Sequence, residues 1–316
     1  MPPGRRRADH PRYARPGAFW RSRTAAVVIV ASLVATALAV APRANAAPKK
    51  PRPKVSLHST SFKTSDGVRL RVIETRASNP VASAPVLAFV PGWSMPAAIW
   101  EPQLRALGAR YRSAALDPRG QGESEVPASG YTVERRAEDI AEFVNRYPRV
   151  VLIGWSLGVL EALHYVHVHG GGKVEALVLV DSSVGEQPPP PEGNFKERLG
   201  ANREQTLNRF IHAIFRSKRP PAELSGLVTA ALRMPLAASI DLLSYPQPRE
   251  HWRDIAWAFR KPLLYVVTPQ FAAQAANLRR NRPGTRIEVF NEAGHALFVD
   301  EPARFNGLLE EFIRGL

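Results

Sequence analysis

From Val55 onward, short runs of apolar, β-branched residues alternate with stretches of helical period, and this alternation restricts the chain to a parallel sheet covered by helices. A parallel strand is buried on both faces, so it reads as a continuous apolar run. VLAFV (Val86 to Val90), YRSAALD ending at Asp117, VVLIG (Val150 to Gly154), VEALVLV (Val174 to Val180), LLYVV (Leu263 to Val267) and RIEVF (Arg286 to Phe290) fit that description. VSLHSTSF and VRLRVIET flank Ser65-Asp66-Gly67 and predict an antiparallel hairpin ahead of them, which brings the count to eight strands. Helices are expected over Ile99 to Ala109, Val133 to Tyr147, Ser156 to Val168 and Ala303 to Arg314. Between Gln187 and Arg260 helical stretches punctuated by prolines replace any strand. Residues 187–260 are therefore expected to form a helical cap between strands 6 and 7, over the strand ends where such sheets bind ligands. The fold class is α/β, a mostly parallel eight-stranded sheet with helices on both faces.

The 316 residues include no cysteine, which excludes a disulfide scaffold, a thiolate metal site and a cysteine nucleophile. A net charge of +15 suggests a nucleic-acid partner until its distribution is considered. Eight basic residues face one acid between Met1 and Ala46, and Lys49, Lys50, Arg52 and Lys54 crowd a Pro/Lys run just beyond. The chain past Lys54 is only mildly basic and has no basic stripe interleaved with aromatics, so no nucleic-acid partner is expected. The basic start leads into an uncharged run from Thr24 to Ala41 and then Ala44-Asn45-Ala46, the order of a secretory signal peptide cleaved after Ala46. Residues 1–46 are read as that signal, 47–54 as a flexible tether and 55–316 as the functional domain. The expected location is secreted or periplasmic. A competing reading retains residues 24–41 as a membrane anchor, since 18 apolar residues lie at the lower edge of a bilayer span.

Chemistry concentrates at Gly154-Trp155-Ser156-Leu157-Gly158, between a strand and a helix. A sharp turn there projects the serine above the sheet, the glycines leave room for backbone and helix, and the helix N-terminus favours developing negative charge. The plainer alternative is a Gly/Ser turn without chemistry. His164, His167 and His169 point in two directions on a helix with no carboxylate beside them, so no metal site is expected.

In these motifs the chain resembles the α/β-hydrolase family, and the resemblance covers nearly everything from Val55 to Leu316. VLAFVPGWS resembles the strand and oxyanion loop, DPRGQGES the glycine-rich loop after the next strand, GWSLG the nucleophile elbow and EAGHALFVDEP the histidine loop. Small-ester esterases and cofactor-free haloperoxidase-type enzymes are the nearest branch, and GWSLG with the PGW loop looks like pimeloyl-ACP methyl ester esterases. The resemblance implies Ser156 as nucleophile, His295 as base, and the backbone N–H groups of Trp93 and Leu157 as oxyanion donors. Pro91 stands where relatives usually carry a histidine, removing one N–H and stiffening the loop. The acid departs from the pattern, because Thr268 to Arg280 holds no carboxylate where relatives usually place it. Asp181, directly after VEALVLV, is the preferred candidate; Glu292, Asp300 and no acid at all stay open. Asp117 and Arg119 are read as pairing partners in an architectural loop. Serine rather than aspartate at the elbow argues against haloalkane dehalogenase or epoxide hydrolase chemistry.

The expected function is hydrolysis of a small-molecule carboxylic ester by a Ser156–His295–Asp181 triad through an acyl-enzyme, with no cofactor and no metal required. Amide or lactone hydrolysis and perhydrolysis on the same fold are the enzymatic alternatives. A non-catalytic binding protein is the alternative of another class, motivated by Pro91 and the missing customary acid.

Overall fold

The computed structural model describes residues 55–77 and 80–316; the expected signal segment and tether lie outside the described residues. The chain runs β1 (Leu57–Lys63), β2 (Arg69–Thr75), β3 (Val86–Val90), a 3-10 turn at Ala97–Trp100, α1 (Glu101–Leu107), β4 (Ser113–Asp117), α2 (Val133–Asn145), β5 (Val150–Trp155), α3 (Leu157–His169) and β6 (Val174–Val180). Next come helices α4 (Phe195–Ala201), α5 (Arg203–Ala213), α6 (Pro221–Leu232), α7 (Leu236–Asp241) and α8 (Arg249–Ala258). The chain then returns to the sheet through β7 (Leu263–Val267), α9 (Ala272–Asn281), β8 (Arg286–Val289), α10 (Leu297–Asp300) and α11 (Pro302–Arg314).

All eight strands form one sheet in the order β1-β2-β4-β3-β5-β6-β7-β8. β2 runs antiparallel to β1 and β4, and every other pairing is parallel. Every residue of β3, β4, β5 and β7 is buried, which is why β3, β5 and β7 read as unbroken apolar runs and β4 is apolar between Ser113 and Asp117. Alternate side chains feed two cores. Leu87, Phe89, Val151, Ile153 and Trp155 pack on one face with Trp100, Phe298 and Leu309. Val86, Ala88, Val90, Val150 and Leu152 pack on the other with Phe143, Leu163 and Trp252.

β3 is flanked by β4 on one side and β5 on the other, so the strand order reverses between β3 and β5. The loops leaving these two strands diverge at that point and open a crevice, where sheets of this kind bind ligands.

Two expectations need amendment. The helix expected from Ile99 starts as a 3-10 turn, and α1 proper begins at Glu101 with Pro102 in its first turn, where a missing N–H costs nothing. Asp117 and Arg119 do not pair with each other. Asp117 accepts from Arg71 and from the backbone of Ala97 and Glu123, whereas Arg119 forks onto Asp139 and reaches Asp66. The two residues lead into a sharp turn in which Gly120 and Gly122 both take positive φ. A Cβ at Gly122 would collide with the Asp117 carboxylate.

Candidate active site

Ser156 joins β5 to α3 with φ 54° and ψ −120°, a sparsely populated conformation for a residue with a side chain. The turn is over-determined. Its N–H donates to Val180 O at 2.9 Å, and its carbonyl accepts from Val159 N at 2.9 Å. The flanking glycines are steric necessities, since a Cβ at Gly154 would strike the carbonyl of Gly158 and a Cβ at Gly158 would lie 2.7 Å from the carbonyl oxygens of both Val90 and Pro91. The sharp turn therefore also lets the loop after β3 approach the serine. Gly92 is tight as well, because a Cβ there would come 3.0 Å from Ser156 Cβ.

The loop after β8 brings His295 across. Its Nε2 lies 2.9 Å from Ser156 Oγ, and its Nδ1 lies 2.8 Å from Asp181 Oδ2. The His295 carbonyl accepts from Trp155 Nε1 at 2.9 Å, and Gly294 lies so close to α5's end that a Cβ would meet Ile214 O at 2.8 Å. Asp181 is fully buried at the end of β6, with φ 44°. Its other oxygen, Oδ1, accepts from Thr268 N at 2.6 Å and Thr268 Oγ1 at 2.9 Å. A buried carboxylate needs such partners, and here both oxygens have them.

Of the other carboxylates weighed as acid, Glu292 is exposed. Asp300 is occupied elsewhere, accepting from Arg216 N, Ser217 N, Ser217 Oγ and Gly294 N. Burial acts to raise the Asp300 pKa, but the Ser217 hydroxyl and these backbone donors prevail and hold it below the usual carboxylate value. Asp300 thus secures the histidine loop rather than the ring.

Trp93 is buried beside the serine; its indole donates to Ser239 O of α7 at 2.8 Å and meets Phe195 and Phe210 edge-on at 5.4 and 5.6 Å. Leu157 opens α3, so its N–H belongs to the first turn that lacks an intrahelical acceptor. A pocket of about 280 Å³ at Ser156 is walled by Trp93, Leu160, Leu242, Leu243, Tyr245 and Trp252, and none of its lining side chains is charged. Residues 187–260 hold α4 to α8 and no strand, and they supply four of those walls.

Sequence reasoning did not find Thr268, Tyr245, Trp252 or Gln121. Thr268 follows β7 in a loop that attracted notice only for lacking a carboxylate, and nothing local marks it as a partner of Asp181. His164 Nδ1 lies 3.1 Å from His251 Nε2, a contact between α3 and α8. Among the described residues no group of three or more His, Asp or Glu side chains is arranged to hold a metal ion, and no helix is long and apolar enough to cross a membrane.

With this sheet and this site in hand, comparison with known proteins gives a match to the alpha/beta hydrolase family over residues 87–308, and the chain belongs to that family. It is similar to the pimeloyl-[acyl-carrier protein] methyl ester esterase of Aeromonas hydrophila, 28% identical over 256 residues that span 72% of this chain and 95% of the relative. Among solved structures, an esterase from Exiguobacterium antarcticum superposes with a TM-score of 0.70 at 24% identity, covering 81% of this chain and 99% of the other. A bromoperoxidase from Bacillus anthracis does so with a TM-score of 0.70 at 18% identity, covering 81% of this chain and 100% of the other.

Proposed function

We propose that the protein hydrolyses small, uncharged carboxylic esters through an acyl-enzyme on Ser156, with His295 carrying the proton and Asp181 orienting His295. Its family and its esterase relatives support ester hydrolysis in general. The observation that carries the finer reading is the unbroken hydrogen-bonded line from Thr268 through Asp181 and His295 to Ser156 Oγ. A serine hydroxyl is a poor nucleophile at its own pKa and needs an imidazole in contact to take its proton.

In this reading Ser156 Oγ attacks the ester carbonyl while His295 Nε2 accepts its proton. The N–H groups of Trp93 and Leu157 receive the oxyanion. The tetrahedral intermediate collapses, Nε2 returns the proton to the departing alcohol, and a water activated by the same nitrogen cleaves the acyl-enzyme. Asp181 holds Nδ1–H throughout. The uncharged pocket, slightly below the volume usual for drug-sized ligands, favours short acyl groups without a charge. Export of the mature chain belongs to the same reading and rests on the order of basic, apolar and small residues between Met1 and Ala46.

Purified chain from Ala47 onward is expected to cleave p-nitrophenyl butyrate and to be labelled at Ser156 by a fluorophosphonate. Ser156→Ala is expected to lose more than about 10³-fold in turnover. Undiminished hydrolysis by that variant, or an unlabelled serine in folded protein, rejects the reading and favours a binding role on the same fold.

A further inference from the structure

Gln121 lies in the loop after β4, far from the serine in sequence, and is 1% exposed. Its side-chain amide is fully used. Nε2 donates to the carbonyls of Gly92 at 3.0 Å and Met95 at 2.8 Å, while Oε1 accepts from Arg136 Nη2 at 3.3 Å. This donor and acceptor pattern leaves the amide one orientation. Arg136 in turn forks onto Glu161 of α3 at 2.7 and 3.0 Å, and Glu161 also accepts from Tyr245 at 3.0 Å, a wall of the pocket. A buried polar network with every member satisfied gives a rigid arrangement.

The Gly92 carbonyl and the Trp93 N–H belong to one planar trans peptide and point in opposite directions from it. Whatever holds the carbonyl therefore aims the N–H. A turn bond from Met95 N, at 3.2 Å, is the other donor to that oxygen. We propose that Gln121 is a positioning residue for the oxyanion-binding peptide. By gripping the Gly92 carbonyl from behind, its amide turns the Trp93 N–H toward the oxyanion that forms as Ser156 attacks the ester carbonyl. The inference rests on the acyl-enzyme reading above and adds a residue to it. It also explains how a loop with Pro91 in place of the usual histidine is held.

The test uses two replacements of similar size. Gln121→Met removes both donors and the acceptor. Gln121→Glu also removes both donors but keeps an oxygen for Arg136. Since the oxyanion forms only on the way to the transition state, misaiming its donor lowers kcat and leaves KM nearly unchanged. Loss of an oxyanion donor outright costs about 10²–10³, so misalignment is expected to lower kcat for p-nitrophenyl butyrate by about 10- to 100-fold in both variants. KM should stay within about twofold, and inhibition by phenylboronic acid, whose serine adduct places an oxygen in the same site, should weaken in parallel with kcat. A Glu variant at wild-type kcat would show that only the Arg136 contact matters, and would overturn the proposal. So would variants of unchanged kcat, or loss of the fold in both, which assigns the amide a purely structural role. An inactive wild-type protein, or an active Ser156→Ala variant, would instead defeat the underlying reading.

Discussion

Asp181 directs one carboxylate oxygen to His295 Nδ1 and anchors the other on the Thr268 N–H and hydroxyl. That division predicts the behaviour of the isosteric amide. In Asp181→Asn the Thr268 N–H requires an acceptor, so the amide oxygen stays there and the NH₂ turns to the histidine. Nδ1 must then accept, which forces the proton onto Nε2, the atom that has to receive the serine proton. Turnover of p-nitrophenyl butyrate is expected to fall by about 10⁴, the loss typical of the same change in a serine protease, while the thermal transition is retained. Turnover within tenfold of wild type would move the orienting role to another group. At this scale Ser156 and His295 were legible because each lies in a motif whose residue types suit one chemistry. Asp181 was legible only as one candidate among several, and Thr268 not at all, since a buried carboxylate's partner is chosen by space.

Helices α3 and α8 meet through a pair of imidazoles. Burial is the main cause that holds the His164 pKa below 6.5, aided by His251 and His167 and opposed by Glu134. His251 is lowered likewise, first by burial and then by His167, against Asp254 and Glu134. The unfolded chain therefore takes up protons on these groups at a pH where the folded chain does not. Stability contributed by the neutral pair is present above the unfolded value and is lost as pH falls through that value toward the folded one. The melting temperature is expected to be level above about pH 7 and to decline from there to about pH 5, with a shallower decline in His251→Gln. Identical slopes for the two proteins, followed by differential scanning fluorimetry, would locate the acid sensitivity elsewhere. The strands at this scale were plain from sequence, because burial on both faces leaves an uninterrupted apolar run. The contact between α3 and α8 was not, since His164 and His251 lie on separate elements and neither periodicity reports which elements pack together. Helix α9 was missed as well, in a segment noted only for its lack of a carboxylate.

Across the molecule, parallel strands deliver their outgoing loops to one edge of the sheet, and the reversal between β3 and β5 opens a crevice there. The Gly92–Trp93 loop leaves β3, the serine β5, Asp181 β6, Thr268 β7 and the histidine loop β8, so a site drawn from five stretches of sequence needs no long-range adjustment. The proposed export is tested on the whole chain. Expression of the full sequence in a bacterial host is expected to release esterase activity from the cytoplasm with a mature N-terminus at Ala47, read by intact mass. A full-length mass in the recovered protein would favour the retained anchor instead. The apolar runs, the elbow glycines and the order of motifs determined by themselves the fold class and the sharp turn that carries Ser156, because burial and backbone sterics act on neighbouring residues. The identity of the carboxylate on His295, the partner that holds it, and the amide behind the Gly92 carbonyl were decided only by the folded sheet, because hydrogen bonds form between groups that meet in space whatever their separation along the chain.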